Sequence, residues 1–159
     1  MTNVIQRQLW ISTLAKAPLE HLEQQFGLLD QLPSYDFLRS PEIGLTMVQG
    51  RSGGTGQPFY LGEMTLTRCV VRLFTSAATD DSPDDTGAIA GYGYITGRSH
   101  RHAELAAVCD ALLQHPDWHD TVFTTVIEPL WHLAQQRQHQ QERQVESTRV
   151  NFFTLVRGT

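Results

Sequence analysis

At Ile43 the spacing of the apolar residues changes from a helical to a strand period, and nothing else in the chain limits its fold as much. Before that point Leu19, Leu22, Phe26 and Leu29 recur every three or four residues, as one face of a helix does. After it Ile43, Leu45 and Met47 alternate with Gly44, Thr46 and Val48, the period of a strand. Upstream, residues 4–16 read as a first helix with Ile5, Leu9, Trp10 and Leu14 as its apolar members. Pro18 opens the second helix at a tolerated first-turn position, and Pro33 closes it.

The strand period persists beyond a break. Residues 50–56, with four glycines in seven, cannot hold a regular element and read as a loop. Pro58 to Phe74 reads as one or two strands, with Gly62 as a candidate bulge. Residues 75–86 form a polar, acidic loop, and Gly87 to Ile95 is a further strand. A helix from about His102 to Gln114 carries the stripe Leu105, Val108, Cys109 and Leu112. Pro116 ends it. A long helix then starts near Asp117 or Asp120, with Val122, Val126, Leu130 and Trp131 on its apolar side and Pro129 as a kink. Its end, 135–144, is nearly all polar. Residues 148–157, where Val150, Phe152, Thr154 and Val156 alternate, read as a closing strand that returns to the sheet.

Helices, then a run of strands, then helices give an α+β class with a mainly antiparallel sheet. The expected division of one domain over 1–159 is a helical N-terminal arm at 1–32, a sheet at 43–96, helices at 102–146 and the closing strand. Composition bounds the function. With 40% apolar and 18% charged residues the chain folds, and a net charge of -5 gives no overall field toward nucleic acid or an anionic membrane. The only two cysteines, Cys69 and Cys109, sit in apolar patterns and read as buried thiols of a reducing compartment. No Cys-x-x-Cys pair suggests a metal. With no signal peptide and no span of ~18 apolar residues, a cytoplasmic location is expected.

Three constellations could carry chemistry. In the first, Gly53, Gly54 and Gly56 would let backbone N–H groups approach an anion, with Arg51 as a clamp. A plain hairpin loop explains the same residues, since the ending of a P-loop is missing. In the second, Arg68 and Arg72 share a strand face with Met64, Leu66 and Val70. There they need either a carboxylate such as Glu63 or Glu104, or an outside anion or partner. In the third, Arg98, Arg101, His102 and Glu104 lie at a strand-to-helix junction, where free N–H groups and the helix dipole favour anions. His102 and Glu104 are the acid–base candidates. The plain alternative is a charged helix start.

Six strings, taken in order, resemble a known family. They are RSPEIGLTMVQGR (39–51), GGTGQPF (53–59), LGEMTLTRC (61–69), GYITGR (93–98), RHAELAA (101–107) and NFFTLVRG (151–158). Together they are similar to the PhnG family, small subunits of the carbon–phosphorus lyase core complex. The resemblance implies a subunit that acts with PhnI in forming α-D-ribose 1-methylphosphonate 5-triphosphate from ATP and methylphosphonate, releasing adenine. It implies PhnI as the direct partner, with PhnH, PhnJ and PhnL reached through the complex, and no cofactor held by this chain alone. The radical iron–sulfur chemistry would belong to PhnJ, which agrees with a chain whose two cysteines cannot ligate a cluster. Three roles stay open: a subunit that shapes a shared active site, an interaction subunit that stabilises PhnI, and a free-standing hydrolase. The isolated chain could also pair as a homodimer.

Overall fold

A computed structural model describes residues 4–74 and 88–148. The order is α1 (Val4–Lys16), α2 (Leu19–Phe26), β1 (Tyr35–Arg51), β2 (Pro58–Leu73), β3 (Ile89–Thr96), α3 (His100–Gln114), α4 (Pro116–Val122) and α5 (Glu128–Ser147). The strands form an antiparallel sheet in the order β1-β2-β3, with α3 laid on one face. This is the α+β class that the change of period implies. The expected acidic loop and closing strand fall outside the described residues.

Three boundaries differ from the sequence reading. First, β1 begins at Tyr35 rather than Ile43, and its register with β2 shifts between Phe37 and Arg39 and again between Arg39 and Glu42. The irregular pairing around Pro41 hides the period of two, which is why the pattern becomes readable only at Ile43. Second, α3 starts at His100, capped by Ser99. Third, α4 is capped by neither Asp117 nor Asp120. The ring of His115 accepts from the Asp117 N–H at 3.2 Å, and Pro116 opens the helix instead of merely ending its predecessor.

The expected kink at Pro129 is a π turn over Phe123–Ile127 that continues into α5. Proline lacks the N–H that would bond the carbonyl four residues earlier, and its ring crowds that carbonyl. A wider turn relieves the clash without ending the helix. Gly62 has φ 140° and lies where the register shifts between Val48 and Gln49, so it marks the bulge that the sequence suggested.

The core runs on both sides of α3. Thr67, Cys69, Val71 and Leu73 of β2 are buried in it, as are Leu105, Val108, Cys109 and Leu112 of α3 and, from the other helical segments, Leu22, Val122, Val126, Ile127 and Leu130. From α1 only Trp10 and Leu14 are buried; Ile5 and Leu9 are exposed. Two glycines set the depth of the interface. A Cβ on Gly91 would lie 2.0 Å from the Ala107 carbonyl oxygen, and one on Gly93 2.0 Å from that of Ala103. Helix backbone therefore rests directly on strand backbone, with Ala103, Ala107 and Ala111 as its small side chains.

The other edge of β3 is closed by α3 itself. Asp110 accepts from the Tyr92 N–H at 3.0 Å, and the Gln114 side chain donates to the Ala90 carbonyl at 2.9 Å. Side chains thus occupy edge groups that would otherwise invite another strand.

Both thiols are free and buried. Burial, and secondarily the Glu104 charge, pushes Cys69 from 9.0 up to about 11; burial and the Asp110 charge push Cys109 up to about 12. Neither thiol should react with iodoacetamide at pH 8 until the chain unfolds, which mass spectrometry of the alkylated protein would read. The folded state holds these protons at pH values where the unfolded state has lost them. Stability should therefore be intact below about pH 9 and fall as pH rises toward 12, measured by urea midpoints across that range.

Candidate functional site

The glycine-rich segment is the turn of the β1–β2 hairpin. Gly53 (φ 61°) and Gly54 (φ 80°) take left-handed conformations that other residues rarely adopt. Gly56 donates its N–H to the Ser52 carbonyl at 2.8 Å, and a Cβ there would lie 2.6 Å from the Ser52 oxygen. The turn thus needs its glycines for its own closure. Arg51 is exposed, and its guanidinium donates to the Gly56 carbonyl at 3.5 Å.

The helix-start cluster is elsewhere. The Gly97 N–H donates to the Thr65 carbonyl at 2.9 Å, which fixes the start of α3 beside the middle of β2. Arg51 pairs with Pro58, seven residues further along β2 than Thr65, so the two places are separated by roughly 23 Å of strand. The structure does not bring Arg51, Gly53, Gly54 and Gly56 together with Arg98, Arg101, His102 and Glu104.

At the start of α3 the Ser99 hydroxyl accepts from the His102 N–H at 3.2 Å. Arg98 and His100 are exposed, and Arg98 has no carboxylate partner among the described residues. Arg101 is half-exposed and pairs with Glu104 at 3.1 Å and Glu23 at 3.6 Å. His102 turns inward: its Nε2 lies 2.8 Å from the Leu14 carbonyl, which can only accept, so that nitrogen carries the proton. The contact satisfies a carbonyl of the last turn of α1 and ties α1 to α3.

Glu104 accepts from the Tyr35 hydroxyl at 2.7 Å and from Arg101 at 3.1 Å. Burial, then the bond to Glu104, pushes Tyr35 up to about 12. The acid–base candidates of the sequence are therefore both engaged in internal bonds.

Arg68 and Arg72 do share the face with Met64, Leu66 and Val70, since the intervening residues are the buried ones. Arg68 is bonded to Glu42 on β1, not to Glu63 or Glu104, because Glu42 is its cross-strand neighbour. Arg72 lies 4.0 Å from Asp36, its own cross-strand neighbour.

Sequence reasoning missed the most heavily bonded group. Asp110 is wholly buried and accepts from both Nε and Nη2 of Arg7 at 3.2 and 2.8 Å, from Trp10 Nε1 at 2.9 Å and from the Tyr92 N–H. The signal was there: a lone carboxylate between Cys109 and Ala111 inside an apolar stripe. Among the described residues no three His, Cys, Asp or Glu side chains gather as a metal would require, and no helix is long and apolar enough to cross a membrane.

Comparison with known proteins decides the family. The family model described as phosphonate metabolism protein PhnG matches residues 5–158. The chain belongs to the PhnG family. It is 36% identical, over 159 aligned residues, to the alpha-D-ribose 1-methylphosphonate 5-triphosphate synthase subunit PhnG of Rhizobium meliloti (strain 1021). The alignment covers 98% of this chain and 91% of that relative. PhnG membership agrees with the resemblance read from the six strings, and the match extends over the N-terminal helices, which carried little of it.

Proposed function

We propose that this chain is a subunit of an α-D-ribose 1-methylphosphonate 5-triphosphate synthase. It acts with PhnI in forming that product from ATP and methylphosphonate, with release of adenine. The observation that carries the reading is the separation of the candidate anion-binding groups. Arg98 and Arg101 stand at a helix start, and Arg51 lies roughly 23 Å of strand away. Among the described residues no single pocket joins them, so a complete site needs another protein beside this chain. Both substrates are anions, which guanidinium groups suit. In this reading Arg98 and Arg101 take a phosphate or phosphonate oxygen with the free N–H groups of the first turn of α3, and Arg68, Arg51 and the glycine turn supply further anion contacts. His102 and Glu104 are the candidates for moving the proton to the leaving base.

A second reading, a non-catalytic interaction subunit that stabilises PhnI, is favoured by the bonds from His102 to Leu14 and from Tyr35 and Arg101 to Glu104. Substituting Arg98→Ala and Arg101→Ala together in the assembled complex separates the two. If these groups hold substrate, KM for ATP or methylphosphonate should rise about 10-fold or more, the cost of a lost charge-assisted hydrogen bond, with the yield of complex unchanged. Unchanged kinetics in an intact complex would favour the interaction reading. Activity of the chain alone would overturn both.

A further inference from the structure

We propose that Tyr35 and Glu104 are positioning residues for Arg101: they hold its guanidinium so that its outer edge meets the anionic substrate. This rests on the reading that the chain is a synthase subunit whose Arg101 takes a phosphate or phosphonate oxygen. Three elements meet at the cluster. Arg101 and Glu104 are neighbours on the surface of α3, Tyr35 opens β1, and Glu23 stands on α2. The guanidinium is held at two of its nitrogens. Nη1 donates to Glu104 Oε2 at 3.1 Å, and Nε lies 3.6 Å from Glu23 Oε1. Nη2 has no partner among the described residues, and half of the side chain is exposed. A guanidinium is planar, so fixing two nitrogens sets the direction of the third.

Glu104 is itself anchored. Its Oε1 accepts from the Tyr35 hydroxyl at 2.7 Å while its Oε2 accepts from Arg101. Its side chain is 20% exposed, against 46% for Glu23, so it is the firmer of the two carboxylates. Burial and the bond to Glu104 keep the proton on Tyr35 up to about 12, so the hydroxyl remains the donor. Tyr35 thereby ties the arginine, through one carboxylate, to the first residue of a strand 69 positions away from Glu104.

This arrangement separates two roles for Glu104. A proton carrier needs an oxygen free to exchange a proton with the substrate, and both oxygens here face donors of the chain. An anchor needs just what is present: a carboxylate fixed from behind and a guanidinium with a free edge in front. The gain is in binding. An arginine ordered only when substrate arrives loses rotamer freedom at that moment, whereas one already held does not. Arg98 is the contrast, since it is exposed and has no carboxylate partner among the described residues.

The test is steady-state kinetics of the assembled complex with ATP and methylphosphonate. Tyr35→Phe removes one hydroxyl and keeps the ring. It should raise KM for one of the two substrates roughly 3- to 10-fold, with kcat within about twofold, as loss of binding alone does. Glu104→Gln should act in the same direction, and more strongly. In an Arg101→Ala background Tyr35→Phe should change KM by less than about twofold, because the group it positions is gone. A merely structural tie between α2, α3 and β1 predicts otherwise: Tyr35→Phe would lower the melting temperature of the complex and leave KM alone. That result would overturn the proposal. So would a fall in kcat of about 100-fold or more in Glu104→Gln with KM unchanged, the signature of a proton carrier. So would additive effects of Tyr35→Phe and Arg101→Ala on KM. An intact complex in which Arg101→Ala alone leaves KM unchanged would instead remove the reading that Arg101 holds substrate, and the proposal with it.

Discussion

Gly93→Ala should destabilise the protein by about 3 kcal/mol or more, the upper end of what overpacking a core costs. The added methyl would sit 2.0 Å from the Ala103 carbonyl oxygen and 3.0 Å from the Ala107 nitrogen. Both are backbone atoms of a helix, so no rotamer change relieves the contact; α3 must lift from β3. Lifting it would also stretch the bonds from Asp110 and Gln114 to the edge of β3. Gly91→Ala should behave alike, since its methyl would meet the Ala107 oxygen at 2.0 Å and the Ala111 nitrogen at 2.6 Å. Gly44→Ala is the control. Nothing lies within 4 Å of a Cβ there, and the change should stay within about 0.5 kcal/mol. Urea unfolding midpoints of the three variants would read the difference. A neutral Gly93→Ala would mean that α3 does not rest on β3 as described.

Asp110→Ala should cost about 3–5 kcal/mol, the penalty for leaving the partners of a buried charge uncompensated. The side chain joins α1, β3 and α3, and its loss would strand the Trp10 indole N–H and the Tyr92 N–H in the interior. Arg7 is less affected, because its guanidinium is partly exposed and lies 5.6 Å from the centre of the Tyr92 ring. Arg7→Ala should therefore be milder than Asp110→Ala, even though both remove the same ion pair. Asp110→Asn should fall between Arg7→Ala and Asp110→Ala, since the amide oxygen can serve one set of donors while its NH2 faces donors where the other carboxylate oxygen accepted. Chemical denaturation of the three would show the order, and equal losses for Arg7→Ala and Asp110→Ala would refute the account of the buried N–H groups.

How much of this was legible in the chain depends on range. The change of period at Ile43, the bulge at Gly62, the glycine turn and the stripe on α3 were readable, because each reflects neighbours within one element. The face shared by Arg68, Arg72, Met64 and Leu66 was readable for the same reason: alternation alone sets it. The start of β1 was hidden by its irregular pairing around Pro41. Six ordered strings were also enough to indicate the family, which the family match then showed.

Other facts needed three dimensions. Alternation put Arg68 on its face, but only the strand register made Glu42 its partner. His102 looked available at a helix start until α1 folded against it and offered the Leu14 carbonyl. The glycine turn and the start of α3 both looked anion-friendly, and the length of the hairpin between them decided that one chain holds them apart. Asp110 drew no reading from the sequence, and its donors outside α3 lie 18 to 103 residues away in the sequence. The sequence alone determined which residues share a strand or helix face, because the periods of 2 and 3.6 are local properties of the backbone. Only the tertiary structure decided who meets whom, because burial and pairing of a polar group depend on elements brought together by folding.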